Sequence, residues 1–244
     1  MKKYVNLFVF VFMIGACLSQ GRAQTKSAVS YKNPVVDIAM PDPTVIKAAD
    51  GYFYVYATES RNVPIMKSKD LVEWTYCNTA FTNKTRPRFE PKAGIWAPDI
   101  NYINSKYVLY YAMSVWGGEQ TCGIGVATAD SPQGPFTDHG KMFRSNEIGV
   151  QNSIDPSLLQ YEGRNYLVWG SFRGIYVIEL TADGLSIMSG AKKKRIAGTA
   201  FEAVYIHKHG DYYYMFASIG SCCQGVKSTY KVVVGRSKKV WGPY

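Results

Sequence analysis

Four acidic residues stand near the heads of four segments that resemble one another. Asp42 lies in PDPTVIKAADGYFYVYATES (41–60), Asp99 in PDINYINSKYVLYYAMS (98–114), Asp155 in IDPSLLQYEGRNYLVWGSF (154–172) and Glu202 in FEAVYIHKHGDYYYMFASIG (201–220). Successive acids are 57, 56 and 47 residues apart. Carboxyl groups drawn to one place push one another's pKa apart, so that one stays protonated while another stays ionised. That split is what hydrolysis of a glycosidic bond needs: a proton donor for the departing oxygen and a base or nucleophile opposite it. A single Asp-Pro step only caps a turn. Asp42, Asp155 and Glu202 recurring at one point of a repeat argue for chemistry.

The repeat also predicts the elements that hold these acids. After each acid comes a short apolar stretch, a polar turn and an aromatic run ending in Ala, Gly or Ser. Asp50-Gly51, Glu162-Gly163 and Gly210-Asp211 suit tight β-turns, so each segment reads as strand, turn, strand. Third strands are expected at Val63–Lys67, Gly123–Ala127, Ile175–Leu180 and Lys231–Gly235. Fourth strands are expected near Trp74–Asn78, Thr137–Phe143 and Ser186–Ala191. Three or four strands per unit, at a spacing of roughly 50 residues, predict an all-β chain folded as a β-propeller. The first strand of each blade would line the axis, and its acids would converge at one end of the channel. Trp96, three residues before Asp99, either stacks on a sugar ring at the channel mouth or packs between blades. The fourth unit ends at Tyr244 before a fourth strand, so the chain is expected to be incomplete at its C terminus.

Composition narrows the class. Of 244 residues, 47% are hydrophobic, 14% aromatic and only 19% charged, which excludes wholesale disorder. Lys2 and Lys3, the apolar run Val5–Leu18 and the small residues Gly21 and Ala23 read as a signal peptide over 1–23, leaving 24–244 as the propeller domain. Ile14-Gly15-Ala16-Cys17 also resembles a lipobox, with Cys17 as a lipidation site. Either route sends the chain out of the cytoplasm, secreted, periplasmic or at the cell surface. Export argues against nucleic acid as a partner, despite a formal charge of +10. The run Lys192-Lys193-Lys194-Arg195 reads as a solvated turn. The cysteines are too few for a disulfide scaffold and lack zinc spacing. Cys222-Cys223 is either a pair of strand-end thiols or a vicinal disulfide in a ligand-facing loop.

Six motifs in order resemble glycoside hydrolase family 43: PDPTV at 41–45, WAPDI at 96–100, NSIDPSLL at 152–159, LVWGSF at 167–172, FEAVYI at 201–206 and GSCCQGVKSTYKVVVGRSK at 220–238. The last is similar to the endo-1,5-α-L-arabinanases of that family. The resemblance implies a five-bladed propeller, with about four blades present here, and endo-acting, inverting hydrolysis of α-1,5-arabinosidic bonds. It implies Asp42 as general base, Glu202 as general acid, and Asp155 as the group that raises and orients the acid. It implies Trp96, Asn152 and Ser171 as substrate-binding residues and Asp99 as structural. Arabinan or arabino-oligosaccharides are the implied substrate, and the protein is expected to act as a monomer with no transmembrane partner. Relatives often hold an axial calcium ion through a histidine in a later blade. His139, His207 and His209 do not match that position, so no metal ligand is expected in this chain and four blades alone are expected to act weakly. The alternatives are an exo-acting α-L-arabinofuranosidase or β-xylosidase, or a non-catalytic glycan-binding propeller.

Overall fold

The computed structural model describes residues 30–59 and 61–244, so the signal-peptide and lipobox readings lie outside the described residues. Residues 33–244 form one compact unit. It consists of four antiparallel sheets, each a meander in which consecutive strands pair. The first blade holds β1 (Thr44–Lys47), β2 (Phe53–Tyr56), β3 (Pro64–Ser68) and β4 (Thr75–Thr79). The second holds β5 (Gly94–Ile103), β6 (Lys106–Ser114), β7 (Gly123–Ala129) and β8 (Thr137–Arg144). A helical turn, α1 (Ser145–Ile148), leads to the third blade: β9 (Ser157–Tyr161), β10 (Arg164–Trp169), β11 (Ile175–Glu179) and β12 (Lys194–Ala197). The fourth has three strands, β13 (Glu202–His209), β14 (Tyr212–Ile219) and β15 (Lys231–Ser237). The chain is an all-β propeller with four blades.

The aromatic runs explain why the blades pack face to face. In β6 all but the first residue are buried, and Tyr110 and Tyr111 point to opposite faces of the sheet. Tyr111 joins Tyr56, Ile65, Phe81 and Leu109 between the first and second blades. Tyr110 joins Phe143, Leu167 and Trp169 between the second and third. Leu159, Val168, Ile206 and Met215 fill the space between the third and fourth. Buried tyrosines need a partner for the hydroxyl: Tyr110 donates to the Gly184 carbonyl at 2.8 Å and Tyr111 to Asp138 at 2.5 Å. The remaining face of the fourth blade carries a half-exposed row, Tyr205, Phe216 and Val234, in direct register across its three strands.

Two expectations are corrected. The outer strand of the third blade is not Ser186–Ala191 but β12, which includes Lys194 and Arg195 of the basic run. Leu185, Ile187 and Ala191 instead fold back onto the core beneath them. Apolar residues cover the core there, and the charged ends of Lys194 and Arg195 stay solvated on an edge strand. The second correction concerns Asp99. The blades share a left-handed residue at the head of the innermost strand: Asp42 (φ 50°), Ala97 (φ 41°), Asp155 (φ 57°) and Ala203 (φ 51°). By this alignment the counterpart of Asp42 is Ala97 in the second blade and Ala203 in the fourth, with Glu202 one residue before it. Asp99 sits two residues beyond Ala97, inside β5.

Candidate active site

The left-handed positions make the site. A non-glycine residue at positive φ costs about 1–3 kcal/mol and persists only where its surroundings hold it. Val63, Leu71, Asn104, Ser105, Glu162 and Cys223 share this conformation elsewhere in the chain, and Asn152 (φ 54°) and Phe172 (φ 49°) share it next to the acids. The last two flank the acids of the third and fourth blades.

Asp42 is exposed and precedes β1 by two residues. Thr58, just beyond β2, donates its hydroxyl to Asp42 Oδ2 at 2.5 Å. The same hydroxyl accepts the Ala97 N–H at 2.7 Å, and the Thr58 N–H binds the Pro41 carbonyl at 2.9 Å. One threonine thus ties Asp42 of the first blade to the head of the second.

Glu202 begins β13 opposite Ser218 and is only 9% exposed. Its Oε2 accepts the Ser171 hydroxyl at 2.6 Å. A backbone bridge between Ser171 and Glu202 joins the third blade to the fourth at this point. Ser171 follows Gly170, whose φ of 128° and closeness to the Gly174 carbonyl, 2.3 Å from where a Cβ would stand, admit glycine alone. Tyr230, at the foot of the loop between β14 and β15, faces the same carboxyl. Its phenol is raised by burial first, and also by its hydrogen bond with Glu202 and the charges of Glu202 and Asp155.

Asp155 lies between the other two. Burial raises its carboxyl well above the usual range, and the charges of Glu202 and then Asp42 raise it further; the Ala203 N–H partly offsets them. Asp155, on the third blade, thus feels the carboxyl groups of the fourth and the first. Asp99 does not join them. Its Oδ2 accepts the Leu158 N–H and the Asn101 side chain, each at 2.7 Å, and so fastens β5 to β9.

Trp96 packs on Ala112, Cys122 and Ile154, and its ring centroid lies 5.5 Å from that of Trp116. Trp116 is 78% exposed, so the pair forms an aromatic wall with one outer plate. Asn152 donates through Nδ2 to the Ser171 hydroxyl at 2.9 Å and to the Ser171 carbonyl at 3.1 Å. Ser171 itself is 2% exposed, with its hydroxyl already engaged by Glu202. Cys222 and Cys223 are joined as a vicinal disulfide in the loop that ends at Tyr230. Sequence reasoning missed Thr58, Trp116 and Tyr230. A signal for the first was present: Thr58, Ser171 and Ser218 all close a second strand with a hydroxyl residue.

Histidine donors lie elsewhere. His139 pairs with Thr128 at 2.7 Å, and the rings of His207 and His209 lie against Tyr205 and Tyr214. No group of three or more His, Cys, Asp or Glu among the described residues has the arrangement to hold a metal ion. The described donors do not fit an axial calcium site, and no step below passes through one.

The chain is similar to known proteins throughout this region. It is 37% identical over 216 residues to the extracellular endo-alpha-(1->5)-L-arabinanase 1 of Bacillus subtilis, covering 83% of this chain and 66% of that protein. It is 35% identical over 231 residues to the extracellular exo-alpha-(1->5)-L-arabinofuranosidase ArbA of Cellvibrio japonicus, covering 83% and 65% respectively. The chain thus spans just under two thirds of the length of these curated relatives. Among solved structures, a Cellvibrio cellulosa alpha-L-arabinanase complexed with arabinohexaose superposes with a TM-score of 0.75 at 31% identity, covering 85% of this chain and 73% of that one. The sequence model of one family matches residues 31–244, nearly everything the structure describes: the chain belongs to the glycosyl hydrolases family 43.

Proposed function

We propose that the protein hydrolyses α-1,5-arabinosidic bonds in arabinan, cutting within the chain and inverting the anomeric centre. The observation that carries this reading is the carboxyl of Asp155, raised well above the usual range by burial and by the charges of Glu202 and Asp42, acids from two other blades. Asp42 is the base: exposed, held through Oδ2 by Thr58, and placed to take a proton from water. Water attacks the anomeric carbon and loses a proton to Asp42 while the glycosidic bond breaks. Glu202 is the acid and gives its proton to the departing oxygen. Asp155, its carboxyl raised by burial and by the charges of Glu202 and Asp42, orients Glu202. Trp96 and Trp116 offer faces for furanose rings. Similarity to an enzyme named as an arabinanase, and to one solved with arabinohexaose, supports arabinan as the substrate. The extracellular relatives support export, in line with the charged and apolar pattern of residues 1–23.

The relative named as an exo-acting arabinofuranosidase keeps a second reading, release of single sugars or short ends, as an outcome of the test. The experiment is a time course on debranched linear arabinan with products separated by size. A spread of oligomers in the first minutes supports internal cleavage, and one small product from the start supports end-on cleavage. Binding without products points to a glycan-binding propeller.

A further inference from the structure

Asn152 and Ser171 form a hydrogen-bond relay whose direction is fixed by a group that can only accept. Asn152 Nδ2 lies 3.1 Å from the backbone carbonyl of Ser171 and 2.9 Å from its hydroxyl. A turned amide would set Oδ1 against that carbonyl, oxygen against oxygen with no proton between them. The Asn152 amide must therefore donate toward Ser171, with Oδ1 on the side of the buried Cys122 thiol, 4.0 Å away. The Asn152 backbone is held too: its N–H binds the Glu119 carbonyl at 2.7 Å. The Ser171 hydroxyl has one hydrogen. Since it accepts from Asn152, that hydrogen goes to Glu202 Oε2, 2.6 Å away. Ser171 is 2% and Glu202 9% exposed, so water does not compete for the bond.

The consequence concerns which oxygen reacts. With Oε2 bound as an acceptor in both charge states, the protonated carboxyl of Glu202 has its carbonyl at Oε2 and its hydroxyl at Oε1. We infer that the Asn152–Ser171 pair positions Glu202 so that its transferable proton sits on Oε1. In this role the two residues act through Glu202 as positioning residues. The reaction served is the hydrolysis proposed above, and the inference rests on that reading for the fate of the proton alone. The other groups facing Glu202 are the carboxyl of Asp155 and the phenol of Tyr230, which hydrogen-bonds to it. Beyond Asn152, Glu119 is paired with Arg173 at 2.9 Å.

The test uses Ser171→Ala and Asn152→Asp in the full chain. The second variant replaces the donor with an acceptor and draws the Ser171 hydroxyl away from Glu202, so it serves if the first does not fold. Infrared difference spectra between acid and neutral pH, with the Glu202 band identified by its loss in Glu202→Gln, read the carbonyl directly. Removing a donor from Oε2 moves the protonated C=O band to higher frequency in both variants. On arabinan, kcat falls by about 10- to 100-fold with KM within roughly twofold. An unmoved band, or a raised KM with unchanged kcat, overturns the inference. If the unaltered protein leaves arabinan intact, the hydrolase reading fails, while the infrared band still decides the relay.

Discussion

Asp99→Asn tests how burial of a structural carboxyl makes stability depend on pH. Burial pushes the Asp99 carboxyl up to about 6 from an ordinary 3.8, against hydrogen bonds from Leu158, Asn101 and Thr44 that favour its ionised form. Below about pH 4 the folded and unfolded chains both hold the proton, and the buried charge costs nothing. Between about pH 4 and 6 the unfolded chain gives up the proton first, so stability falls as pH rises. At about 1.4 kcal/mol per pH unit, the gap corresponds to roughly 2–3 kcal/mol above pH 7. Asparagine keeps an oxygen for the Leu158 N–H and never ionises. It forfeits the acceptor for Thr44, an offset that does not change with pH. The assay is urea unfolding of both proteins from pH 4 to pH 8, the quantity being the variant's stability minus the parent's. This difference is expected to rise by roughly 2–3 kcal/mol across the range, or about 5–10 °C in Tm for a domain of this size. Asp155 titrates in both proteins and drops out. A difference that stays flat with pH refutes the reasoning.

Other expected outcomes are as specific. Thr58→Val removes the hydroxyl that holds Asp42 and leaves the Ala97 N–H without an acceptor; kcat is expected to fall by about tenfold and thermal unfolding to show a loss of about 1–3 kcal/mol. Trp116→Ala removes an exposed ring, so Tm should stay within about 1–2 °C while KM for arabinan rises severalfold. Because the Cys222–Cys223 bridge closes a loop of adjacent residues, the Cys222→Ser/Cys223→Ser double variant is expected to lose only about 1 kcal/mol in urea unfolding.

Much of this architecture was legible before any coordinates. Aromatic runs between polar turns identified β2, β6, β10 and β14, because a central strand packed against its neighbours is rich in apolar residues, though one face of β14, with Phe216, stays half-exposed. Edge strands were harder. β12 carries Lys194 and Arg195, and an edge strand needs no apolar residue outward, so composition pointed to Ser186–Ala191 instead. Asp42, Asp155 and Glu202 stood out as acids at repeat heads. Asp99 was grouped with them because residue type is visible in a sequence and a left-handed backbone is not. Thr58 and the direction of the Ser171 bond were hidden for a related reason: a hydroxyl at a strand end is ordinary until a carboxylate from another blade is placed beside it.

The central claim is that Asp42 and Glu202 cleave arabinan by direct displacement by water. The measurement that tests it most directly is proton NMR of a digest of debranched arabinan followed from the first minute, with the full chain and its Glu202→Gln variant. The account predicts that the β-anomer of the new reducing end appears first and then equilibrates, and that Glu202→Gln slows its appearance by about 100-fold or more. An α-anomer appearing first, or a Glu202→Gln protein as fast as its parent, would contradict it.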